Sequence, residues 1–519
     1  MDKNSQIILC NLKGIDKEGR HVLDYISTRF LTLCQNNATA TRDKYSIIDI
    51  EKTVSVNIPY GTCLTSNYMA FRNPSYSTKW FFAFIDEVRY ISDNCTEISF
   101  TVDAWHTWYD DFHPSLVMVE REHTNNDTIG ANIEPEPLDI GDLIAHYSER
   151  DRSISTNDGY YVVFATTFDF ANLGKFSGVT LQDGYLSSVK YYAFPLRHVG
   201  WEDDVAEINN FLTNTIDAGL IGGGTEAIQS VFLYPYGFFT SANIDIQNHY
   251  QLRDTNPYPI IQETRPALQE RTLSRSLFRD YGAGLNIKNN KLYTYPYCFL
   301  RITNNNGAFA DYRYEFFDGE PTVKVDGVFT VNGSYKIIPM RYRGQNRNVT
   351  ESIPLGKFPV ASFTGDSFRE WLVGNAGNQV ISNVQSGGFW QAAAGILTAG
   401  IDAYGNANTP TGNTSTADAS FLSEDVSFKA IGYRPTNYKV KLIDEYFTKY
   451  GYATNRLKTP NITGRLNYNY VKVAQGEDIC KDAIPLKYRE KINAMFNRGV
   501  TIWHYYVVIG NYGVDNNIT

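Results

Sequence analysis

The stretch Glu97-Ile98-Ser99-Phe100-Thr101-Val102 alternates polar and apolar residues over its whole length. This period of two is typical of a β-strand that buries one face and exposes the other. Leu116 to Glu120 and Thr322-Val323-Lys324-Val325-Asp326-Gly327 repeat the pattern in distant parts of the chain. We therefore predict an α+β fold that is mainly β, with few helices.

The clearest hairpin signal is the run Val328-Phe329-Thr330-Val331-Asn332-Gly333-Ser334-Tyr335-Lys336-Ile337-Ile338. Asn-Gly tolerates the positive φ angles of a two-residue type I′ turn, whose twist matches that of the flanking strands. We therefore predict two strands that meet at Asn332-Gly333.

Three segments favour helices. Glu202–Asp217 places apolar residues on one face at helical spacing. It also begins with three acidic residues, which suit the positive end of a helix dipole. Val440–Tyr450 and Pro485–Asn497 are the other two predicted helices, and Pro485 stands where a first helical turn tolerates proline.

The composition is that of a folded protein with more than one core. The chain has 519 residues, more than a single hydrophobic core usually supports, so two or more domains are expected. With 43% hydrophobic and 20% charged residues, global disorder is excluded. The 37 tyrosines and 30 phenylalanines agree with a β-rich fold, because aromatic side chains suit a half-buried pleated surface.

Charge and cysteine usage exclude several classes of protein. The net charge of −9 lacks the basic excess of a protein that grips nucleic acid by neutralising phosphates. None of the six cysteines forms a CxxC pair, so we interpret them as thiols of a protein made in a reducing cytosol. The sequence shows neither a secretory signal nor a run of about 20 apolar residues that could span a membrane.

Two polar clusters could carry chemistry. The first is Asp103-Ala104-Trp105-His106-Thr107-Trp108-Tyr109-Asp110-Asp111-Phe112-His113, which contains possible metal ligands. A helix would group Asp103, His106 and Asp110, whereas a strand would separate the first two. Because Phe100-Thr101-Val102 precedes the cluster, we favour a strand end with polar edge residues.

The second cluster is Glu120-Arg121-Glu122-His123. It could act in general acid–base chemistry, but alternating charges on a strand are more typical of a cross-strand ladder of ion pairs. The following segment, Asn125–Asp142, has no periodicity and contains prolines and glycines. We predict that it is an extended arm crossing a neighbouring domain or subunit. No phosphate-binding loop, HExxH motif or nucleophile elbow is present, and we predict no catalytic, metal or cofactor site.

Gly387 to Thr416 differs from the rest in composition. Its first half, Phe389 to Ile401, is apolar, uncharged and rich in small residues, and Asn406–Asp418 is polar. The apolar part is either a buried core segment or a loop that plugs a channel or acts on a membrane. The residues predicted to carry the second role are Phe389, Trp390, Ala393, Ile396, Leu397 and Ile401.

Four stretches, in the same order along the chain, resemble signatures of one protein family. The first, Val119 to Asn132 preceded by Asp103 to Trp108, is similar to a "ReHtntDtiGant" motif. The others are Asn290 to Tyr297 with Thr303 to Gly307, then Phe358 to Leu372, and then Ile443 to Tyr452 with Asn455-Arg456, Pro460 to Ile462 and Gly464-Arg465. The family is the tail knob (distal tail tube, major tail) proteins of small short-tailed bacteriophages.

The resemblance implies tail-tube-like antiparallel β-barrel or sandwich domains, a few helices and a long apolar loop. The domains expected are 1–146, the first part of a β-rich tube domain; 147–285, an α+β insertion or second domain; 286–380, the second part of the tube; 381–425, the apolar and flexible loop; and 426–519, an α+β part that returns to the tube. In this family a long apolar loop plugs the lumen, and the loop at Gly387–Phe421 departs from the pattern in being short and only partly apolar.

The expected function is a structural virion protein rather than an enzyme. The resemblance implies a hexameric ring at the tip of a short tail, in contact with other tail and collar proteins. Phage DNA would pass through it without sequence-specific binding, and the loop could reach the host membrane. Two alternatives remain: a tail-borne cell-wall or glycan hydrolase that uses Asp110, Asp111, Glu120 and Glu122, and a module that binds host glycans.

Overall fold

The computed structural model describes most of the N- and C-terminal regions and many of the intervening strands. The residues that it describes are 5–45, 53–74, 77–151, 159–166, 190–197, 203–204, 207–208, 228–235, 244–250, 258–261, 270–282, 284–303, 308–327, 334–343, 353–357, 360–362, 428–481 and 483–519. Strands outnumber helices among them, so the prediction of a mainly β fold is confirmed.

The strands are β1 Ser5–Cys10, β2 His21–Leu23, β3 Ala38–Tyr45, β4 Thr53–Val56, β5 Tyr68–Arg72, β6 Phe81–Ser92, β7 Cys95–Val102, β8 Val117–Glu122, β9 Leu143–Asp151, β10 Gly159–Thr166, β11 Lys190–Arg197, β12 Ile228–Pro235, β13 Ile244–Tyr250, β14 Tyr258–Ile261, β15 Glu270–Thr272, β16 Phe299–Thr303, β17 Phe309–Tyr312, β18 Phe317–Gly327, β19 Ser334–Tyr342, β20 Ile353–Lys357, β21 Val360–Ser362, β22 Phe428–Pro435, β23 Tyr452–Lys458, β24 Tyr468–Val473 and β25 Val500–Trp503. The α-helices are α1 Ser27–Asn36, α2 Tyr60–Leu64, α3 Ala104–Trp108, α4 Arg275–Phe278, α5 Asn437–Tyr450 and α6 Leu486–Arg498.

The chain divides into two compact units, each assembled from distant parts of the sequence. Unit 1 contains Met1–Asp142, Ala283–Thr294 and Pro435–Thr519, and unit 2 contains Leu143–Gly282 and Tyr295–Arg434. The two ends of the chain therefore fold together in unit 1.

Unit 1 is built on two sheets. The larger has six antiparallel strands in the order β3-β1-β5-β6-β7-β4. The smaller has five strands in the order β2-β25-β24-β8-β23, in which β2 runs parallel to β25 and the other described pairs are antiparallel. The larger sheet is formed by N-terminal strands alone, whereas the smaller sheet combines strands from both ends of the sequence.

One hydrophobic core joins the two sheets of unit 1 to helices α3 and α6. The rings of Phe112 and Phe496 stack at 5.7 Å, and Trp105 lies 5.1 Å from Phe112. A second cluster covers another part of the six-stranded sheet, where Phe30 of α1 packs edge-on against Phe82 at 4.8 Å. Buried aromatic pairs of this kind add to the stability that burial alone supplies.

Unit 2 contains three sheets in which all described strand pairs are antiparallel. Their strand orders are β13-β14-β11-β10-β12-β21, β15-β18-β19-β20 and β17-β16-β22-β9.

The alternating stretches fold as predicted. Burial along β7 alternates strictly between half-buried and buried residues, and the other two stretches form β8 and the end of β18. The last two predicted helices are α5 and α6. Most of Glu202–Asp217 lies outside the described residues, although residues 203–204 and 207–208 are helical.

The predicted hairpin turn is wrong in its register. A two-residue turn at Asn332-Gly333 would pair Ile337 with Val328, but β18 and β19 pair Ile337 with Val325. The described part of β18 ends at Gly327, and residues 328–333, which include the predicted turn, lie outside the described residues. Asn-Gly is compatible with a tight turn but does not enforce one, because register also depends on which faces of the strands are buried.

Candidate functional site

Three distant parts of unit 1 meet around a set of buried polar side chains. These parts are β8 with the arm that follows it, the segment 284–294, and α5 with β23. We call this set the polar junction; its members are Arg121, Asp127, Glu136, Asn289, Asn290, Lys291, Asp444 and Tyr452.

Glu136, in the arm, forms ion pairs with two buried cations. Its side chain is fully buried, and it contacts the guanidinium of Arg121 and, at 2.5 Å, the ammonium of Lys291. It also accepts a hydrogen bond from the main-chain N–H of Ala453 at 2.8 Å. Burial lowers the pKa of Lys291, and the charge of Glu136 partly offsets that effect. Glu136 thus connects β8, β23 and the segment 284–294 through a single carboxylate.

Asp444 links helix α5 to the segment 284–294 by hydrogen bonds. Its carboxylate accepts the main-chain N–H groups of Lys288 at 3.2 Å and of Asn289 at 3.1 Å. It also accepts the side-chain amide of Asn289 at 2.9 Å. Burial raises the pKa of Asp444, and these hydrogen bonds oppose the increase. A buried carboxylate with several donors thus holds a segment that contains no strand and only a short 3-10 helix, Asn290–Tyr293.

Asp127 connects the arm to the segment from the other side. It accepts the N–H of Asn290 at 3.2 Å and the hydroxyl of Tyr452 at 2.5 Å. In return, the side chain of Asn290 donates to the main-chain oxygen of Asp127 at 2.7 Å. Burial raises the pKa of Asp127. The arm therefore folds back along unit 1 itself at these positions.

The second cluster forms the predicted ladder of cross-strand ion pairs. Glu120 of β8 lies 2.6 Å from Lys472 of β24, and Glu122 pairs with Lys458 of β23. His123 accepts the N–H of Tyr470 through Nδ1 at 2.7 Å and donates from Nε2 to a main-chain oxygen at 3.0 Å. Burial lowers the pKa of His123 to about 3, so the ring is neutral.

The prediction of a strand end for the first cluster is wrong. Asp103 caps the short helix α3 by accepting the N–H of His106 at 3.1 Å. Its Oδ2 lies 2.7 Å from Nδ1 of His106 and accepts the hydroxyl of Tyr68 at 2.8 Å. His106 Nε2 accepts the N–H of Leu23 at 3.1 Å, so Nδ1 carries the proton. Burial favours protonation of Asp103, but His106 and Tyr68 outweigh it and leave the pKa of Asp103 below its usual value.

The four carboxylates considered for hydrolysis do not form an acid–base pair. Asp110 accepts the N–H of Ser27 at the start of α1, and Asp111 pairs with Lys79. Glu120 and Glu122 belong to the ladder, each paired with a different lysine. Each carboxylate thus has its own structural partner.

The described part of the chain offers neither a cluster of metal ligands nor a helix that could span a membrane. It contains no group of three or more His, Cys, Asp or Glu side chains placed to hold a metal ion. None of its helices combines the length and apolar character needed to cross a membrane. The residues predicted to plug a channel or act on a membrane, Phe389, Trp390, Ala393, Ile396, Leu397 and Ile401, lie outside the described residues.

Two family models match the chain. One describes the C-terminal domain of the tail knob protein gp9 of Bacillus phage phi29 and matches residues 266–431 and 407–517. The other describes the N-terminus of caudoviral major tail proteins and matches residues 21–113. The two matches fall on different parts of the chain and both concern phage tail proteins.

Curated relatives and a solved structure agree with these matches. The chain is 23% identical to the tail knob protein gp9 of Bacillus phage B103 over 593 aligned positions, covering 95% of this chain and 96% of the relative. Identity to gp9 of Bacillus phages PZA and phi29 is also 23%. The tail knob protein gp12 of bacteriophage C1 has a similar fold, with a TM-score of 0.64, 16% identity and coverage of 99% of this chain and 100% of that chain.

The polar junction joins three of the four stretches on which the family resemblance rests. Asp127 belongs to the first stretch, Asn290 and Lys291 to the second, and Asp444 and Tyr452 to the fourth. Most of the third stretch lies outside the described residues. Sequence reasoning noted these residues without foreseeing their contacts, since their partners stand more than 150 positions away.

Proposed function

This chain is a relative of the phage tail knob proteins and a structural component of a bacteriophage tail, and from that premise we propose that it assembles into a closed hexameric ring whose lumen conducts the phage genome. The observation that supports self-assembly best is an open edge of the six-stranded sheet in unit 1. Six copies are the number that the family resemblance implies.

Strand β3 is one of the two edges of this sheet, and β4 is the other. Among the described strands β3 pairs only with β1, so the main-chain groups on its other side are available. Most of its first six residues are exposed, and they include Thr39, Thr41 and Arg42 rather than large apolar side chains. Edges of this kind can pair with another chain, and monomeric proteins usually protect them. A second copy that pairs with β3 would continue the sheet around a ring.

The charge of the chain fits a conduit better than a DNA-gripping protein. At a net charge of −9, the chain repels the phosphate backbone more than it attracts it. A duplex would then slide through a lumen without being held at any sequence. We propose that the DNA contact is of this non-specific kind and that the protein has no enzymatic role.

We further propose that Gly387–Phe421 closes the lumen before genome delivery. Its apolar residues, among them Phe389, Trp390 and Leu397, would meet near the axis and separate when the tail contacts the host, where they could reach the membrane. The closed state must be only modestly favoured if contact or pressure is to open it. Deleting 387–418 should leave ring assembly intact and impair delivery, whereas loss of assembly would assign the segment to a core.

The remaining proposals concern domains and neighbours. We propose that 1–146, 286–380 and 426–519 contribute to the tube, that 147–285 is an insertion or second domain, and that 381–425 is the loop. Other tail and collar proteins would contact the ring. Co-purification of the chain with those proteins would test this last proposal.

Two proline substitutions test the role of β3 in assembly. In an antiparallel edge strand, successive N–H groups point alternately towards the neighbouring strand and away from it. Ala40 and Thr41 are consecutive, so proline at one of them removes a main-chain hydrogen bond to β1. Proline at the other removes only an N–H group that points away from β1. The proline variant that keeps the wild-type melting temperature should no longer sediment as a ring-sized assembly. The control variant Thr41→Val should still do so. Rings that persist in the well-folded proline variant would contradict pairing through β3.

A further inference from the structure

Unit 1 contains a polar cavity next to the polar junction. Its volume is about 450 Å³, and its walls come from the segment 286–289, the end of α5 and residues 513–517. The cavity is also lined by Arg465, which follows the signature residue Gly464. None of its lining residues belongs to β3 or to Gly387–Phe421.

Arg465 is buried, and among the described residues no carboxylate is in direct contact with its guanidinium. The residue is only 9% exposed, and its one side-chain hydrogen bond is donated by Nη1 to the main-chain oxygen of Asn516, at a long 3.4 Å. Its Nε has no hydrogen-bond partner, and no described carboxylate lies within 4 Å of the guanidinium. Removing a guanidinium from water without pairing it is costly, so a bound anion would compensate for its burial.

The two junction carboxylates nearest the cavity are engaged with other donors. Asp127 accepts from Asn290 and Tyr452, and Asp444 accepts from Lys288 and Asn289. Burial raises the pKa of both carboxylates; the charge of Arg465 opposes this increase at Asp127 and that of Lys288 opposes it at Asp444, but neither carboxylate forms a direct ion pair with these two cations.

The other lining groups define the sign and size of a ligand. Lys288 adds a second cation, and it has no carboxylate partner within 4 Å among the residues described. His123 is neutral, and both of its ring nitrogens are occupied by main-chain groups. The acidic residue of the lining is Asp515, whose Oδ2 accepts from Asn517 at 2.7 Å. The cavity therefore carries two positive groups and one negative group.

We propose that this cavity binds a small phosphate-type oxyanion, with Arg465 as its principal ligand and Lys288 as a second cation. The guanidinium offers a planar fork of donors that matches two oxygens of such an anion. The volume accommodates either inorganic phosphate with water or the phosphate of a mononucleotide. Asp515 opposes the bound charge and thereby limits the affinity.

Binding is measured by isothermal titration calorimetry of the full chain, with inorganic phosphate in one arm and AMP in the other at constant ionic strength. Arg465→Gln should raise the phosphate Kd at least about tenfold, which corresponds to the loss of one charge-assisted hydrogen bond. Lys288→Gln should raise the Kd by a smaller factor. Asp515→Asn should lower it, because a repulsive charge is removed.

The control is Arg456→Gln, a matched change at a mostly exposed arginine whose nearest carboxylate lies 3.8 Å away. It should leave phosphate binding unchanged. If Arg465→Gln does not fold, Lys288→Gln and Asp515→Asn decide the question with their opposite signs. The proposal is overturned if neither phosphate nor AMP binds more tightly than chloride, or if Lys288→Gln and Asp515→Asn leave the Kd unchanged. Tighter binding of AMP than of phosphate would identify a nucleotide as the source of the anion.

Discussion

Replacing Glu136 by Gln removes the one negative charge that two buried cations of the polar junction share. The substitution keeps the size of the side chain and its carbonyl oxygen, so the hydrogen bond from Ala453 can remain. It leaves Arg121 and Lys291 buried without their ion-pair partner, at side-chain exposures of 10% and 2%. Unit 1 should therefore become markedly less stable.

The expected loss is about 3 kcal/mol. Removing one partner of a buried ion pair usually costs ~3–5 kcal/mol. We expect the lower end for two reasons: the amide keeps one hydrogen bond, and Lys291 can become neutral because burial already lowers its pKa. The unfolded chain would then carry a proton that the folded variant has lost. The difference in free energy of unfolding between wild type and Glu136→Gln should therefore become smaller as the pH rises from neutral towards the ordinary lysine pKa of about 10.4.

The assay is urea unfolding followed by tryptophan fluorescence, in parallel at pH 7 and pH 9. Glu134→Gln is the matched control, because Glu134 lies in the same arm but is 36% exposed and 3.8 Å from Arg456. That control should change stability by less than about 0.5 kcal/mol. Adding Lys291→Met to Glu136→Gln should restore ~1–2 kcal/mol of the free energy of unfolding, because it removes one of the two buried charges that have lost their partner. A Glu136→Gln variant that is no less stable than Glu134→Gln would show that the shared carboxylate does not stabilise unit 1.

Three further predictions concern the same unit. Asp444→Ala should destabilise it by ~2–4 kcal/mol, because several buried donors lose their acceptor, whereas Asp444→Asn should cost less than about 1 kcal/mol; hydrogen exchange in 284–294 would report the difference. The pKa of His123, near 3 when folded and about 6.5 when unfolded, predicts a stability loss on the order of 4 kcal/mol as pH falls from 6.5 to 3; in His123→Asn the acid dependence should be weaker, and an equal dependence would argue against a neutral buried ring. Gly451→Ala should cost more than Gly476→Ala by at least ~2 kcal/mol in thermal melts, since both glycines have positive φ but only at Gly451 would a Cβ meet backbone, 2.1 Å from the oxygen of Glu122.

The elements predicted correctly from the sequence are those in which apolar residues recur with the period of a strand or a helix. β7 alternates strictly, and α5 and α6 match two of the predicted helices, because in each case one face is buried along the whole element. Helix α3 was missed because its five residues are too few to show a helical period after a strand. The cue was Asp103 three positions before His106, which is cap spacing.

The polar junction could not be predicted from periodicity at all. Glu136 lies in an arm without regular structure, and its partner Lys291 stands 155 positions away. The family resemblance drew attention to these regions, but it gave only their order along the chain and not the contacts between them. The register of β18 and β19 is a similar case, because an Asn-Gly pair alone does not specify which residues of the two strands face each other.

The central claim is that copies of this chain close into a ring around an open lumen. Negative-stain electron microscopy of the purified chain, combined with its mass in solution, tests that claim most directly. The account predicts closed six-fold rings with a central channel and a mass of about six subunits of 58.8 kDa. Compact monomers that stay monomeric at micromolar concentration, alone and with the other tail proteins, would contradict it.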